Sequence, residues 1–398
     1  MLWTTFDFRP VNAWEKRKLG EIADIRGGGT PSTSKPEYWD GEIDWYAPAE
    51  IGTQRYVSGS RRQITNLGLN KSSATMLPAN KTILFTSRAG IGNAAILTKS
   101  GATNQGFQSI VVKPATDIYF LYSEVPEIKR KAIRLAAGST FLEISGKSLS
   151  KIQIWLPSFK EQSRIGHLFL QIDNLIAATQ QKISDLEDIK VSTLRNLFNQ
   201  TWRIRHYSDD WKNIKLSDIS TKVVEKNVNY QYKEVLTNSA EFGIVNQQDY
   251  FDKSIANPKS LSDYYVIHPN DFVYNPRISR LAPVGPVRRN KTGRIGVMSP
   301  LYYVFKIDGV DPTFLEYFFK NNGWHRFMYA NGDTGARADR FAIKDKVFEQ
   351  MPIQLPSKDE QEALGTSLKA LERLIAEFLK RLDNLKKLKE YLLSSVFA

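Results

Sequence analysis

The strongest constraint on the fold is a motif that occurs twice, each time in front of a long helical pattern. The sequence Leu-Pro-Ser-x-x-Glu-Gln begins at Leu156 and begins again 199 positions later at Leu355. Behind each copy, apolar side chains recur in alternating steps of four and three, which is typical of a coiled-coil seam and not of a strand. The seam positions correspond one to one, without insertion or deletion: Ile165, Phe169, Ile172, Ile176, Thr179, Ile183 and Leu186 match Leu364, Leu368, Leu371, Ile375, Phe378, Leu382 and Leu385. We therefore predict a tandem duplication with two long helices that pack along apolar seams.

Each helix is predicted to begin close to the proline of its motif. Proline resists continuation of the element before it but is tolerated in the first turn of a helix. Glu161 and Glu360 follow shortly after, where a carboxylate interacts favourably with the positive end of the helix dipole. Pro157 and Pro356 therefore mark the two helix starts.

The segments in front of the helices also share a beginning. Trp14 and Trp211 each open a Trp-x-x-x-Lys-Leu pattern, but the sequences between these patterns and the helices differ strongly. We predict an α+β fold with globular domains of mixed α and β structure at residues 1–155 and 201–354. Helical regions follow each of them, at residues 156–200 and 355–398. The central sequences of the two globular domains are expected to differ if each domain recognises a different target. They are equally expected to differ if the sequences of exposed loops have diverged without a change of function.

The distribution of charge indicates where a partner binds. Nearly all of the net charge of +13 falls on the two globular parts, whereas the two helical regions are close to neutral. Helices that bound nucleic acid themselves would be the basic segments. Excess positive charge on two repeated globular parts favours a polyanion partner over solubility alone. We interpret the helices as spacers and docking surfaces.

Composition excludes several classes of site. The chain has no cysteine, so it has neither disulfides nor thiolate metal sites. Its four histidines show no metal-ligand spacing, and we predict neither a metal nor a cofactor. The first ten residues lack a basic region followed by an apolar run, and no apolar stretch approaches the ~18–20 residues of a membrane span. We therefore expect a cytoplasmic protein.

The first half offers polar and basic loops as candidate contacts to nucleic acid. A glycine-rich loop follows Ile25. This loop is a candidate phosphate contact, because glycines allow close backbone approach and hydroxyls donate to phosphates. A buried strand from Lys81 to Ser87 should present Arg88 at its tip. Trp45 and Tyr46 are expected in the core. The candidate contacts are Arg26, Thr30, Arg55, Arg61, Arg62, Arg88, Ser139 and Thr140.

The second half has the same plan with different residues. The segment from Asp271 to Arg277 replaces the Arg88 strand and tip, and basic residues crowd the loops that follow. Arginine and lysine can pair with phosphates or with guanine, although their order in the chain does not reveal which loop enters a groove. The candidate contacts are Arg277, Arg280, Arg288, Arg289, Lys291, Arg294, Arg337 and Arg340.

Catalytic motifs are incomplete. Asp117, Glu127 and Lys129 could form a nuclease-like group, but such loose spacing arises by chance in basic chains. The sequence Asn-Pro-Arg that begins at Asn275 lacks the second proline and the aromatic residue of an adenine methyltransferase loop. No serine nucleophile has a nearby histidine partner. We predict no catalytic residue in this chain.

Two different globular parts, each followed by the Leu-Pro-Ser-x-x-Glu-Gln turn and a long helix, resemble the specificity subunit of Type I restriction–modification enzymes. The resemblance spans essentially the whole chain and is most specific at the two motifs and the two Trp-x-x-x-Lys-Leu starts. It implies two target recognition domains, each reading one half of a split double-stranded DNA site. It also implies two helical regions packed as an antiparallel coiled coil, which sets the spacing and binds methyltransferase subunits, with an endonuclease and motor subunit joining for restriction.

Apolar helix residues outside the seam are candidates for contacting the methyltransferase subunits, although packing within one chain would use them too. They are Leu168, Leu175, Leu374 and Leu379. A different class of function also remains open: an unpartnered tandem nucleic-acid-binding protein that dimerises through its helices. A self-sufficient enzyme is disfavoured by the incomplete motifs.

Overall fold

The computed structural model describes residues 14–137, 142–250, 258–334 and 339–397. The chain divides into two compact units, one formed by Met1–Gln180 with Lys380–Ala398 and the other by Gln181–Leu379. Each unit therefore contains a globular part and a segment of each of the two longest helices. Within the described residues, none of the helices combines the length and the apolar character needed to cross a membrane.

Short strands build the sheets of the first unit. They are β1 (Glu15–Lys18), β2 (Ala23–Gly27), β3 (Trp39–Tyr46), β4 (Tyr56–Val57), β5 (Arg62–Ile64), β6 (Thr82–Phe85), β7 (Ala94–Leu97), β8 (Gly101–Thr103), β9 (Gln108–Val112) and β10 (Gln153–Leu156). The main sheet has the order β2-β9-β6-β7-β4, a second sheet has the order β5-β3-β8, and β1 pairs with β10. The strand β6 is buried throughout, as its apolar and β-branched sequence predicts.

Most helices of the first unit pack against one face of the main sheet, whereas α2 packs against the second sheet. They are α1 (Leu19–Ile22), α2 (Asn66–Asn70), α3 (Ile118–Ser123), α4 (Val125–Leu135), α5 (Gly146–Ser150) and the first part of α6 (Phe159–Phe198). Short 3-10 helices occupy Pro36–Tyr38 and Pro48–Glu50. Side chains from α6 and from the end of the last helix pack into the same core as β6 and α4, so both long helices are part of the unit.

The described part of the second unit also contains ten short strands. They are β11 (Lys212–Lys215), β12 (Ser220–Lys222), β13 (Leu236–Ser239), β14 (Gly243–Asn246), β15 (Tyr265–Ile267), β16 (Phe272–Tyr274), β17 (Val287–Arg289), β18 (Gly296–Met298), β19 (Tyr303–Ile307) and β20 (Pro352–Leu355). The helices are α7 (Leu216–Ile219), α8 (Gln247–Tyr250), α9 (Pro312–Lys320), α10 (His325–Asn331), α11 (Asp345–Phe348) and the first part of α12 (Lys358–Phe397), with a 3-10 helix at Pro258–Asp263.

The two units share a strand order. The order β12-β19-β16-β17 in the second unit corresponds to β2-β9-β6-β7 in the first. In each unit the strand after the tryptophan pairs antiparallel with the strand in front of the long helix, Glu15 opposite Leu156 and Lys212 opposite Leu355. The two globular parts therefore share a central sheet order and a ribbon formed by their first and last strands. The other strands around this sheet differ, as the sequences between the shared motifs do.

The two long helices begin where the proline motifs predict. Both contain 40 residues, and each starts two positions after its proline. The seam residues Phe169 and Ile172 are buried in the first unit, and Leu364 and Leu368 are buried in the second. Burial of the seam agrees with its apolar pattern, since such a stripe is stable only against another surface.

Candidate nucleic-acid interface

The glutamine of each repeated motif attaches a long helix to its globular part. Gln162 accepts a hydrogen bond from the Asp117 backbone N–H at 3.1 Å and donates to the Pro157 carbonyl at 2.9 Å. Gln361 does the same with the Asp311 N–H at 2.8 Å and the Pro356 carbonyl at 2.9 Å. The motif therefore has a structural role at the same place in both units.

The aspartates that these glutamines contact are helix caps. The Asp117 carboxylate accepts from the Phe120 N–H at the start of α3, and Asp311 accepts from the Phe314 N–H in α9. Glu127, which could have joined Asp117 in a nuclease-like group, binds Arg130, and that hydrogen bond lowers the pKa of Glu127. Among the described residues, no three His, Asp or Glu side chains are placed to hold a metal ion.

The Arg88 turn lies next to the residues just before α5 in the first unit. The turn is closed by the Thr86 N–H, which donates to the Asn93 carbonyl at 3.0 Å. The Ile144 N–H, two residues before α5, donates to the Ser87 carbonyl at 3.0 Å. Ser139 and Thr140 lie outside the described residues. Two segments that are 57 positions apart in the chain thus meet beside the half-buried Arg88.

The second unit brings its basic turn and loop together in the same way. Arg277 and Arg340 are opposite each other in an antiparallel bridge, and the Phe341 N–H donates to the Pro276 carbonyl at 2.8 Å. Arg337 lies outside the described residues. A cleft of about 650 Å³ beside this bridge is lined by Arg277 and Arg280. An adjoining cleft of about 690 Å³ contains Arg340.

A pair of tryptophans organises the glycine-rich loop of the first unit. The Trp45 indole N–H donates to the Gly29 carbonyl at 2.8 Å, and the Trp39 indole N–H donates to the Ser32 carbonyl at 3.0 Å. The Arg62 guanidinium lies 3.6 Å from the centroid of the Trp39 ring, a cation–π distance. Trp45 and Tyr46 are buried, as predicted. The structure therefore brings the Arg62 side chain next to the glycine-rich loop.

Other candidates on this surface are exposed. Thr30 donates its hydroxyl hydrogen to Gln105 at 2.5 Å on the outside of the loop. Arg61, which precedes β5, is exposed, and Arg26 on β2 is exposed with its guanidinium 3.9 Å from Asp24. These three side chains are accessible to a large ligand.

Several basic residues that the sequence placed among the candidates have internal contacts. Arg55 donates to the Tyr119 hydroxyl at 3.1 Å and to Asn174 on α6 at 3.0 Å. Arg288 donates to the Ala240 carbonyl at 2.7 Å, and burial lowers the pKa of its guanidinium. Their positions near loops did not reveal these contacts, because sequence order does not show which face of a strand a side chain occupies.

A cluster around Glu316 holds two further candidates. Arg289 donates to Thr313 at 3.2 Å and lies 3.8 Å from Glu316 on α9, and Lys291 lies 2.8 Å from the same carboxylate. Arg294 is exposed and pairs with Glu234 at 3.1 Å. The structure therefore separates these residues from the cleft of Arg277 and Arg280.

The four off-seam leucines differ in accessibility. Leu168 is half-buried and packs on the core of the first unit, which reduces the surface it offers to another chain. Leu175, Leu374 and Leu379 are 45%, 38% and 48% exposed. Leu175 and Leu374 stand at equivalent positions of the two repeats. The sequence alone could have distinguished Leu175 and Leu374 from the other two leucines, because only these two are related by the 199-position offset.

Comparisons with known proteins add to this geometry. The family model of the Type I restriction modification DNA specificity domain matches residues 12–188. The chain is 34% identical over 189 residues to the Type I restriction enzyme MjaIX specificity subunit of Methanocaldococcus jannaschii, an alignment that covers 46% of this chain and 44% of the relative. The chain thus spans less than half the length of that relative.

Two further similarities extend over nearly the whole chain. The MjaVIII specificity subunit of the same organism is 21% identical over 96% of this chain and 91% of the relative. The crystal structure of a Type I restriction–modification S subunit from M. genitalium has a TM-score of 0.57 and 14% identity, and the match covers 98% of this chain and 97% of that chain. At this level of identity the structural similarity concerns the fold alone.

Proposed function

We propose that the chain belongs to the family of Type I restriction–modification specificity subunits, and that it recognises a split double-stranded DNA site, one half with each globular part. The observation that carries the proposal is the basic turn of each unit, which is hydrogen-bonded to the loop before the last strand. Arg88 occupies this turn in the first unit, and Arg277 occupies it in the second. Arginines on such turns can contact phosphates or guanine edges.

The chain is proposed to be a tandem duplication with target recognition domains at residues 1–155 and 201–354 and spacer regions at residues 156–200 and 355–398. The shared central strand order supports this organisation. In the first unit Phe397 stacks on Phe169 with ring centroids 5.8 Å apart, while Lys389, earlier on α12, contacts Asp173, later on α6. Contacts that run in opposite directions along two helices support antiparallel packing.

Methyltransferase subunits are the proposed partners of the helices, and an endonuclease and motor subunit would join them for restriction. Leu175 and Leu374 support a twice-repeated docking surface, because they are exposed at equivalent positions. Methyl transfer and cleavage are assigned to those partners, and this chain is proposed to be non-catalytic. A DNA partner would place the complex in the cytoplasm.

A methylation map tests the proposed function directly. The chain is expressed with methyltransferase subunits in cells that lack other modification, and the modified sites are sequenced. The expected result is a split site with two specified halves and an unspecified gap of constant length. A single contiguous site, or no modification with DNA binding that ignores sequence, would contradict the proposal. If no site is modified, DNA binding ignores sequence and the chain forms a stable homodimer, the alternative of an unpartnered nucleic-acid-binding protein is favoured.

A further inference from the structure

The first unit has a second basic surface, and none of the residues assigned to the split site lines it. We call it the Trp155 patch and define it by Lys16, Lys131, Arg134, Lys151 and Trp155. These side chains line a shallow concavity of about 420 Å³ between the β1–β10 ribbon and α4. Neither the sequence pattern nor the proposed recognition of DNA accounts for it.

Strand register fixes the indole ring on the outside of the ribbon. Side chains alternate along β10, so Ile154 is buried in the core while Trp155 is 46% exposed. Lys16 stands opposite Trp155 in the antiparallel ladder, and its Nζ lies 5.8 Å from the centroid of the indole ring. The lysine and the ring therefore form one face that an extended ligand can cover.

The charge of the patch is positive and largely uncompensated. Among the described residues that line it, none is acidic. Lys131 donates to the Gln153 carbonyl at 2.9 Å and lies 3.3 Å from Glu127, which also binds Arg130. Lys16, Arg134 and Lys151 remain available to a negatively charged ligand, since no carboxylate lies among the lining residues.

The equivalent ribbon of the second unit has neutral, non-aromatic side chains at three of the five patch positions. The positions equivalent to Lys16, Lys151 and Trp155 are Asn213, Gln350 and Gln354. Gln354 accepts a hydrogen bond from Gln200 at 2.7 Å. The scaffold therefore folds with neutral side chains at these positions, so the fold itself does not require the basic residues and the indole ring of the patch.

We propose that the Trp155 patch binds single-stranded nucleic acid, with an unpaired base stacked on the Trp155 ring and the adjacent phosphates held by the surrounding cations. Indole rings flanked by basic side chains bind single strands because every base has a π face and every linkage has a charge. Paired bases are stacked inside a duplex and cannot reach the ring. An acidic peptide would pair with the cations but would leave the ring uncovered. The inference does not depend on the proposed recognition of a split site.

The test measures binding of a fluorescein-labelled oligothymidylate to the full-length chain, with its methyltransferase partners, by fluorescence anisotropy. Trp155→Gln introduces the residue of the second unit and is expected to weaken binding by roughly 5- to 150-fold, the usual contribution of one stacked base. Adding Lys16→Asn and Lys151→Gln, which also match the second unit, should weaken it further and reduce its salt dependence. Trp202→Gln is the matched control, because Trp202 is 51% exposed outside the patch.

The outcomes separate this proposal from the proposed function. Loss of oligothymidylate binding in the triple variant, with methylation of the split site retained, supports the patch. Equal binding by Trp155→Gln and Trp202→Gln overturns it. Stronger competition by non-target duplex than by unlabelled oligothymidylate also overturns it and indicates a duplex backbone contact. Stronger competition by polyglutamate overturns it in favour of an acidic protein segment. Loss of both activities overturns it as well, since the patch would then belong to the split-site surface.

Discussion

Lys389 Nζ lies 2.6 Å from Asp173 Oδ1, and the Tyr119 hydroxyl donates to the other oxygen of the same carboxylate at 2.8 Å. The second unit contains a counterpart in which Lys190 lies 2.8 Å from Glu372. The 199-position offset relates Asp173 to Glu372 and Lys190 to Lys389. Each long helix therefore supplies the lysine of one pair and the carboxylate of the other, as expected when two equivalent helices face each other.

The first prediction concerns this ion pair. Asp173→Asn leaves Lys389 without its charged partner in a mostly buried place, because the Asp173 side chain is only 8% exposed. We expect a loss of about 1.5–3 kcal/mol in the free energy of unfolding, the usual contribution of a hydrogen bond to a charged group. Urea denaturation measures the change. Asp188→Asn, at an exposed position of the same helix, is the control, and equal stability of the two variants would contradict the assignment.

The second prediction concerns pH and rests on Glu124. Burial raises the pKa of this carboxyl from 4.5 to about 8, and the nearby Lys131 only partly offsets the effect. Because the folded pKa lies above the unfolded one, the unfolded chain releases the proton first. The contribution of Glu124 to stability is therefore full below about pH 4.5 and is lost as the pH rises through about 8.

Glu124→Gln should remove this dependence. Urea denaturation at about pH 5 and about pH 9 is expected to show a smaller loss of stability for the variant than for the parent chain. Glu143→Gln, at an exposed position of the first unit, is the control. The same pH dependence in Glu124→Gln and the parent would show that another group titrates.

The third prediction concerns contacts to the proposed split site. Arg277→Ala should affect the half-site of the second unit alone. A lost base contact costs ~1–3 kcal/mol and relaxes one position, whereas a lost phosphate contact weakens all sequences and lowers the salt slope by about one. Binding to a panel of single-base variants of the methylated site separates the two cases.

Arg61→Ala makes the corresponding test in the first unit, and Arg326→Ala is the control because Arg326 is exposed on α10 outside both clefts. Unchanged binding after individual replacement of Arg61, Arg62, Arg88, Arg277 and Arg280 would refute the assigned surface.

The fourth prediction concerns the spacing of the two half-sites. Deleting four residues at matched positions of α6 and α12 shortens each helix by ~6 Å at about 1.5 Å per residue, close to two base pairs at ~3.4 Å each. The apolar seam is approximately kept, because about 3.6 residues make a turn. The methylation map should then show the same half-sequences with a shorter gap. An active enzyme with an unaltered gap would show that other contacts determine the spacing.

The sequence by itself determined the repeated motif and the extent of the long helices. These features are local or periodic: a proline sets where a helix begins, and a step of three and four residues defines a seam. The buried state of Trp45 also followed from its position in an aromatic and apolar segment.

Only the tertiary structure decided which basic residues share a surface. Arg277 and Arg340 are opposite each other in an antiparallel bridge. By contrast, Arg289 lies 3.8 Å from Glu316, and Arg55 donates to the Tyr119 hydroxyl. Hydrogen bonds and ion pairs between segments far apart in the chain depend on strand register and on the face that each side chain occupies. Strand register and the face that a side chain occupies cannot be derived from charge and spacing along the sequence. The basic loops could therefore be predicted, but which of their side chains lie together could not.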